Sequence, residues 1–352
     1  MPPLRRFYID AQVFPYSTRS SVIHGMRSDL PFCTVAPGDF APACWQSLRR
    51  LTAGDHPDAG GWPADVLAAA RQWHLPLQRP AEQAPAPAAA LEWLACQTLC
   101  AALAPQTRRR LQALRILGLT GSTNDHVRQL ARTEKLHRAA VLAEAQSAGR
   151  GRHDRRWYSP LAANVYASVL VTTATLPDPL PPLSLIVGER LAHRLRALGM
   201  SAVSVKWPND LWWHDRKLAG CLIELRTWGD GLEIVAGLGL NVAMPAAAAA
   251  AQVDQAWTDI RHMQPSGMPG RNALAALVLD VLTEVLVEQP AFDPAAYRQV
   301  DALTGRQVSV SGAGMQCAGD YQGVSSTGAL RLSTPSGIRL FNAGEVSVSV
   351  RA

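Results

Sequence analysis

The chain has 352 residues, of which 48% are hydrophobic and 18% are charged. Such a chain can bury two or three globular cores, which excludes a wholly disordered protein. The formal net charge of +6 favours anionic partners, and nucleotides, acidic proteins and nucleic acids all satisfy that condition. No run of about twenty apolar residues could span a bilayer, and no apolar stretch near the N-terminus forms a signal peptide, so we expect a cytoplasmic protein without membrane contact.

Cysteine and lysine are both used sparingly. Six cysteines occur without a CxxC motif, and Cys96 and Cys100 have no second pair with which to hold zinc, so reduced thiols are expected. Of 34 basic residues only Lys135, Lys206 and Lys217 are lysines, and the last two lie close together in the chain. A lysine ammonium is a compact charge that a planar guanidinium cannot imitate, so this pair hints at a specific role.

The first part of the chain, residues 1–112, has the weakest pattern. Pro63–Trp73 and Leu91–Leu103 are helix candidates, and Pro80–Ala90 is a Pro/Ala-rich connector between them. Residues 1–40 show no clean periodicity and are expected to form an extension with no structure of its own.

From Ala113 the pattern becomes regular. Short apolar segments predict strands at Leu114–Leu119, Ala139–Gln146, Asn164–Thr172, Val203–Trp207, Lys217–Leu225 and Leu232–Leu238. Amphipathic periodicity predicts helices at Ser122–Glu134, Leu183–Leu198 and Asn272–Val287, the first capped by the side chains of its opening residues. Ala246–Ala251 is expected to be a loop.

After Asp301 the regular segments shorten. Alternating stretches between glycine turns predict the strands of a small β-barrel at Gln307–Val310, Leu330–Leu332, Ile338–Phe341 and Glu345–Val350. The sequence therefore predicts an α+β protein of three units: an uncertain N-terminal segment (1–112), a mixed α/β catalytic body (113–300) and a compact β domain (301–352).

The most distinctive segment is Gly149–Trp157, which holds two glycines and four arginines in nine positions. Glycine lets a backbone approach a ligand closely, and arginine offers paired N–H donors to carboxylate and phosphate oxygens. The segment therefore predicts an anion-binding loop that orders around its ligand. A solvated basic turn and an RNA-binding patch are the alternatives.

Three further motifs lie at the ends of predicted strands. Val205–Asp210 delivers an asparagine and an aspartate at a strand tip, although Pro-Asn-Asp is also ordinary turn chemistry. Lys217 opens the segment Lys217–Glu224 and points toward whatever the preceding hairpin encloses, unless it is a solvated strand end. Gly237–Asn241 closes a strand with two glycines and an amide but lacks the helix of a dinucleotide-binding fingerprint.

Five motifs occur in order: GSTND, EAQSAGRGR with a following tryptophan, VKWPNDL, KLAGCLIEL and GLGLNV. Together they resemble the signature series of biotin–protein ligases. The resemblance covers Leu111–Val287 and extends to the C-terminal domain through GEVSVSV. It implies a mixed-sheet, biotin/lipoate ligase-like catalytic domain and a C-terminal SH3-like β-barrel, with a shortened, degenerate winged helix as one interpretation of residues 42–100.

The resemblance also implies roles for individual residues, carried over by matching motifs. The implied biotin contacts are Ser122, Thr123, Asn124, Gln146, Arg150, Gly151, Arg152 and Lys217, and the implied ATP or adenylate contacts are Arg152, Arg155, Asn209, Asp210, Asn241 and Trp257. Lys217 and Arg152 are the implied catalytic residues, and Mg²⁺ is expected near Asp210.

The implied reaction has two steps and uses ATP, biotin and Mg²⁺. The biotin carboxylate attacks the α-phosphorus to give biotinyl-5′-AMP and pyrophosphate. A lysine of the biotin carboxyl carrier protein of acetyl-CoA carboxylase then takes the biotinyl group and releases AMP. No enzyme nucleophile is needed, so catalysis would rest on positioning and charge.

Three alternatives stay open on the sequence alone. A lipoate– or octanoate–protein ligase has a related fold, although the KWPND and GRGR motifs argue against it. A biotin-responsive repressor needs a DNA-binding segment, and because no helix–turn–helix with basic recognition positions is found, DNA binding is not expected. An RNA-binding module needs interleaved aromatic platforms, which the arginine-rich segment lacks. A homodimer is neither predicted nor excluded.

Overall fold

A computed structural model of the protein describes residues 33–53, 62–73, 77–78, 86–87, 92–153, 155–174, 182–228, 231–263, 267–312, 315–342 and 347–350. The expectations for residues 1–32, for most of the Pro/Ala-rich connector and for the start of the last predicted strand fall outside these ranges. Within them, no helix is long and apolar enough to cross a membrane.

The helices and strands follow one another along the whole described chain. The helices are α1 (Pro42–Ala53), α2 (Ala64–Gln72), α3 (Cys96–Ala102), α4 (Pro105–Arg110), α5 (Thr123–Glu134), α6 (Leu183–Ala197), α7 (Ala246–Gln252), α8 (Ile260–Met263), α9 (Arg271–Glu288) and α10 (Pro294–Arg298). The strands are β1 (Cys33–Gly38), β2 (Leu77–Gln78), β3 (Ala86–Pro87), β4 (Ala113–Thr120), β5 (Arg138–Gln146), β6 (Val165–Thr173), β7 (Val203–Lys206), β8 (Asp210–Trp213), β9 (Arg216–Trp228), β10 (Gly231–Leu240), β11 (Gln307–Gly312), β12 (Met315–Val324), β13 (Leu330–Thr334), β14 (Gly337–Phe341) and β15 (Ser347–Val350).

The largest element is a mixed sheet with the strand order β1-β4-β5-β6-β10-β9-β8-β7. β4 pairs in parallel with β1 and β5, whereas every later neighbour pair is antiparallel. Helix α5 makes the crossover that the parallel β4–β5 pair requires. The prediction of an α+β fold with a mixed sheet is confirmed.

Helices cover both faces of this sheet. Helix α5 packs against β5, β6 and β10 on one face, and α6 and α9 pack against β6 and β9 on the other. Helix α9 is buried on almost every side, because α3, α4 and α6 surround the part of it that faces away from the sheet. Most of the sheet is therefore enclosed between helices.

Two expectations of local structure are wrong. Ala246–Ala251 is not a loop but most of helix α7, since alanine has the highest intrinsic helix propensity. Leu91–Leu103 is helical only over α3, because the preceding residues are held extended: Leu94 N–H donates to Glu144 Oε1 at 2.7 Å and Ala95 N–H donates to Asn272 Oδ1 at 2.8 Å. Strand β8, which is only four residues long, and strand β12, which carries polar and glycine residues, were not predicted.

The N-terminal segment is joined to the sheet, contrary to the expectation that residues 33–40 have no structure. Strand β1 pairs with the edge strand β4 from Cys33 opposite Leu114 to Gly38 opposite Leu119. Its sequence CTVAPG shows no strand pattern of its own, and an edge position tolerates its proline. Only the open edge of β4 makes this segment a strand.

A disulfide between Cys33 and Cys96 joins β1 to α3, so the expectation of reduced thiols is wrong for this pair. Cys44, Cys100, Cys221 and Cys317 are free cysteines. The two bonded residues are 63 positions apart in the sequence, and only the packing of α3 beside β1 brings them together.

A second apolar cluster lies between α1, α2 and the ends of β4 and β5. Trp45, Leu48 and Val66 pack there with Leu119 and Ala145 of the sheet. Burying an aliphatic side chain such as that of Leu48 or Val66 contributes roughly 1.5–3 kcal/mol to the stability of the fold. The larger Trp45 side chain buries more apolar area than either. The helices α1 and α2 are thus part of the same folded body.

The C-terminal residues form a separate antiparallel sheet with the order β14-β13-β12-β11-β15. It is attached to the edge strand β7: Val205 N–H donates to Val300 O at 2.6 Å, and Ala302 N–H donates to Val205 O at 2.9 Å. The buried indole of Trp207 donates to Gly328 O at 2.9 Å. These bonds fix the C-terminal sheet against the strand that leads into the KWPND motif.

A partly buried carboxyl group lies at this junction. Asp301 Oδ1 accepts from Leu303 N–H at 2.9 Å, and Asp301 Oδ2 accepts from the Tyr321 hydroxyl at 2.7 Å. Burial raises the pKa of Asp301 to about 6, against the opposing effect of both hydrogen bonds. The folded protein therefore favours the protonated carboxyl group more than the unfolded chain does.

We predict that Asp301→Asn changes how stability depends on pH. Because the pKa is raised on folding, the wild-type contribution is present below pH 4 and is lost as pH rises to about 6. The neutral amide should remove this loss and stabilise the protein at pH 7 by on the order of 2 kcal/mol. Urea unfolding between pH 4 and pH 7 measures the difference, with the exposed Asp320→Asn as the control. Parallel profiles for wild type and Asp301→Asn would contradict the assignment.

Candidate functional site

A cavity of about 420 Å³ opens where the carboxyl ends of β5 and β10 meet the amino end of β9. The residues after β5, which form the arginine-rich loop Gly149–Trp157, cover one side, and the β7–β8 hairpin covers another. Ser311, Val348 and Ser349 of the C-terminal sheet complete the wall. The predicted site residues that line the cavity are Ser122, Thr123, Asn124, Gln146, Arg150, Gly151, Arg152, Arg155, Asn209, Asp210 and Lys217.

One end of the cavity is polar and uncharged. Gln146 Oε1 accepts from both the Thr123 N–H at 2.9 Å and the Thr123 hydroxyl at 3.1 Å, and Gln146 Nε2 donates to Ser159 Oγ at 3.1 Å. Ser122 is the N-cap residue of α5, but its side chain makes no capping hydrogen bond, contrary to the expected capping role. Its hydroxyl group lies in the cavity wall instead.

Ser168 of β6 is a residue that the sequence analysis missed. Its buried hydroxyl donates to Asn124 Oδ1 at 2.6 Å and lies 2.7 Å from Thr123 Oγ1. Asn124 Nδ2 in turn donates to Glu224 Oε2 at 2.6 Å, so both ends of this amide are already bonded within the protein. Nothing in the local sequence ASVL distinguishes Ser168, because only the sheet register brings it under the start of α5.

A layer of opposite charges lies beneath this polar end. Arg150 donates to Asp125 Oδ2 at 2.5 Å and Asp125 Oδ1 at 2.8 Å, and these hydrogen bonds raise the pKa of Arg150. The buried Arg128 donates to Glu224 at 3.1 Å and to Glu233 at 2.8 Å. The first arginine of the loop is therefore anchored on α5 and stays cationic.

Trp157 fills the centre of the floor, and two glycines make room for it. A Cβ atom at Gly239 would lie 2.3 Å from Trp157 Cε2, and one at Gly220 would lie 3.0 Å from Trp157 Cζ3. The indole Nε1 is buried and has no hydrogen-bond partner among the described residues. The glycines of KLAGC and GLGLN are thus required by an aromatic ring of the arginine-rich loop, a role that the sequence analysis did not assign to Trp157.

An ammonium group stands beside this indole. Lys217 Nζ lies 2.9 Å from Asp210 Oδ1 and 5.3 Å from the centre of the Trp157 ring. Asp210 is brought there by the tight turn between β7 and β8, whose Trp207–Pro208 peptide is cis. The expected proximity of Lys217 and Asp210 in one site is therefore present in the structure.

Two further cations of the site, Arg152 and Lys206, are partly removed from water. Burial lowers the pKa of Arg152, with Asp210 opposing that shift, and burial likewise lowers the pKa of Lys206. Lys206 lines the cavity, although the sequence analysis gave it only the hint of a role that it shares with Lys217. The cavity wall holds several cations and only one aspartate among the described residues. This excess of positive charge favours a polyanionic ligand.

Cys221 lines the same cavity but is chemically inert. Burial raises the pKa of its thiol to about 12, so the thiol is protonated at neutral pH. A thiolate is the reactive form of cysteine, and the expectation that no cysteine acts as a nucleophile agrees with this environment.

Asn241 and Trp257 are not among the residues that line the cavity, and their expected contacts with the nucleotide stay predictions. The buried Asn241 Nδ2 donates to Thr258 O at 3.0 Å, and Lys217 exchanges backbone hydrogen bonds of 2.9 Å with Ala256 and Thr258 on either side of Trp257. Both residues therefore brace the strand that carries Lys217, and Gln255 is the member of this loop that reaches the cavity.

Comparisons with known proteins agree with this arrangement. A model of the Biotin/lipoate A/B protein ligase family matches residues 118–241. The chain is 37% identical over 240 residues to the bifunctional ligase/repressor BirA of Escherichia coli K12, a match that spans 66% of this chain and 73% of that protein. The chain belongs to the biotin–protein ligase family.

Other relatives and solved structures extend the comparison. The biotin–[acetyl-CoA-carboxylase] ligase of Mycobacterium tuberculosis is 30% identical over 242 residues, which span 66% of this chain and 88% of that protein. A biotin protein ligase of Aquifex aeolicus, solved in complex with biotin and ATP, covers 68% of this chain and 99% of its own with a TM-score of 0.55. Its sequence is 23% identical, so this likeness concerns the fold.

We predict that Gly239→Ala destabilises this member of the ligase family through Trp157. The added methyl group would overlap the indole, and such overpacking costs about 1–3 kcal/mol. The double variant Gly239→Ala/Trp157→Ala should show a coupling of similar size, because the second change removes the overlap. Gly121→Ala is the matched control, since a Cβ atom there meets nothing within 4 Å. Additive free energies of unfolding in the cycle would contradict the proposed contact.

Proposed function

We propose that the protein is an ATP-dependent biotin–protein ligase, which forms biotinyl-5′-AMP and transfers biotin to one lysine of the biotin carboxyl carrier protein of acetyl-CoA carboxylase. The observation that carries this proposal is the position of Lys217. Its ammonium group lies in one cavity between a neutral polar end and an arginine-rich loop. Biotin has a neutral ureido ring at one end and a carboxylate at the other, and it matches this distribution of polarity.

The neutral end suits the ureido ring. Ser122, Thr123 and Gln146 supply hydroxyl and amide groups there, and an uncharged ring needs neutral donors and acceptors. Asn124 holds this end in shape, because Ser168 and Glu224 occupy its amide. The Trp157 ring, seated against Gly220 and Gly239, gives the apolar part of biotin a flat surface.

The charged part suits the reacting groups. The biotin carboxylate and the α-phosphate both carry negative charge, so their approach is opposed until cations offset the repulsion. Lys217, which lines the cavity, would contact both, and Arg152 and Arg155 of the loop would supply phosphate donors. One carboxylate oxygen bonds to the α-phosphorus, the bond to the β-phosphate oxygen breaks, and pyrophosphate leaves with the electron pair.

Asp210 and Asn209 fit a role in holding Mg²⁺. Proteins bind this cation through one or two carboxylates while substrate phosphates and water complete its shell. Asn209 Nδ2 donates to Cys221 O at 2.8 Å, which leaves the oxygen of the same amide for a cation. When bound, Mg²⁺ would neutralise phosphate charge. The Lys217 ammonium group would then leave its ion pair with Asp210 and pair with the substrate carboxylate.

The second step needs no group of the enzyme as a nucleophile. The amine of the acceptor lysine attacks the carbonyl carbon of the mixed anhydride, and AMP leaves. The protonated thiol of Cys221 has no part in this step. The arginine-rich loop would retain the adenylate and keep water away from it until the acceptor arrives.

The three predicted units remain a proposal in which residues 113–300 are the catalytic domain and residues 301–352 an SH3-like domain. In residues 1–112, α1 and α2 are followed by the two-stranded sheet β2–β3, an order that supports a shortened winged helix. Helix α2 has a single basic residue, and Arg50 lies 5.8 Å from the centre of the Trp62 ring. These features favour a structural role over DNA binding.

We predict that Lys217→Ala abolishes adenylate formation while the fold persists. Removing the ammonium leaves the two anionic reactants unscreened, and we expect the biotin-dependent exchange of pyrophosphate into ATP to fall by at least about a hundredfold. Lys135→Ala is the control, because Lys135 is exposed at the end of α5. Exchange at the wild-type rate in Lys217→Ala would remove this residue from its role, and stimulation by lipoate in place of biotin would overturn the proposed substrate.

We predict that Arg152→Gly releases the adenylate prematurely. The half-buried guanidinium closes the loop over the cavity, so its loss should let biotinyl-5′-AMP escape and label lysines at random. Incubation with ATP, biotin, the carrier domain and a bystander protein, followed by intact mass, measures this. Labelling that stays confined to the carrier lysine would show that Arg152 does not retain the adenylate.

A further inference from the structure

Lys206 is a cavity-lining cation for which the two proposed steps have no use. It is the last residue of β7 and lies opposite Asp210 across the turn of the β7–β8 hairpin. The chain has three lysines, and Lys135 is exposed on the surface whereas Lys206 and Lys217 both face the cavity. Two of the three lysines in a chain whose other basic residues are arginines therefore line the same cavity.

The surroundings of Lys206 leave its ammonium group available to a ligand. Nζ lies 4.8 Å from the centre of the Trp212 ring, which supports a cation on its face. The neighbouring carboxylate of Asp210 is paired with Lys217 at 2.9 Å, and no carboxylate of the described residues lies within 4.0 Å of Lys206 Nζ. Lys217 and Arg155 add positive potential. A half-buried ammonium beside other cations is stabilised by a polyanion with several charges.

The strand order of the sheet shows on which side of Lys217 the Lys206 side chain begins. The neutral end of the cavity belongs to β5 and α5, Lys217 lies on β9, and Lys206 lies on β7, beyond β8. With neighbouring strands about 4.8 Å apart, Lys206 is displaced by roughly 10 Å from the Lys217 strand, on the side away from the ureido end. In a phosphoryl displacement the attacking and leaving oxygens lie on opposite sides of the phosphorus. If biotin attacks from the β5 side, pyrophosphate departs toward β7.

We propose that Lys206 binds the pyrophosphate group of ATP and stabilises it as it leaves. This inference rests on the proposed function, since it assigns a residue to the first of the two steps. It separates the two lysines of the site: Lys217 acts where the new bond forms, and Lys206 acts where the old bond breaks. Pyrophosphate is absent from the transfer of biotin to the acceptor, so Lys206 has no part in the second step.

The two half-reactions can be measured separately on the full-length protein. Exchange of labelled pyrophosphate into ATP with biotin present reports the first step. Single-turnover transfer from synthetic biotinyl-5′-AMP to the carrier domain reports the second. Lys206→Met keeps the length of the side chain without its charge, Lys206→Arg keeps the charge, and Lys135→Met is the matched control on the surface.

We expect Lys206→Met to raise the KM for pyrophosphate in the exchange reaction and to lower the exchange rate by about tenfold or more, as for the loss of one charge-assisted phosphate contact. Transfer from biotinyl-5′-AMP should stay at the wild-type rate, which also shows that the variant is folded. Lys206→Arg should recover most of the affinity for pyrophosphate, and Lys135→Met should match the wild type in both assays.

Two results would overturn the inference. An equal loss of exchange and transfer in Lys206→Met would place Lys206 on the adenylate or in the fold rather than on pyrophosphate. Wild-type exchange kinetics in the same variant would exclude a phosphate contact. A wild-type enzyme that forms no biotinyl-5′-AMP would instead contradict the proposed function itself, so the two failures are distinguishable.

Discussion

The site depends on one ion pair held against one aromatic ring. Lys217 Nζ lies 2.9 Å from Asp210 Oδ1 and faces the indole of Trp157. These three groups come from different strands and a loop, and each is fixed by separate backbone pairing. The ring is admitted only because Gly220 and Gly239 carry no side chain. Any shift of β9 against β8 or β10 would separate the ammonium from its partner, so the mixed sheet is the foundation of the chemistry.

That sheet is braced at both edges by parts of the chain that lie outside the matched family segment. At one edge β1 pairs with β4, and the Cys33–Cys96 disulfide ties it to α3. At the other edge Val205 exchanges backbone hydrogen bonds with the residues around Asp301. The C-terminal sheet also contributes to the cavity wall. Both additions therefore brace the sheet whose strand ends line the cavity, although they lie outside the residues that the family model matches.

The charges of the cavity are graded along the sheet. Neutral hydroxyl and amide groups lie near β5, whereas the ammonium and guanidinium groups lie near β9, β7 and the arginine-rich loop. Arg150 is already paired with Asp125, so the first arginine of the loop is anchored on α5. A ligand with one neutral and one polyanionic end would be oriented by this gradient before any covalent step.

The sequence alone determined the order and chemistry of the motifs, and from these the family and eleven of the cavity-lining residues followed. The strand-forming segments predicted an α/β body with polar groups at its strand ends, and the family resemblance implied the mixed sheet. Tertiary structure decided what local patterns do not show: the position of Ser168 beneath the start of α5, the strand formed by Cys33–Gly38, and the contact of Trp157 with two distant glycines. Each of these is a contact between segments far apart in the chain, and such contacts form only when the sheet register brings their atoms together.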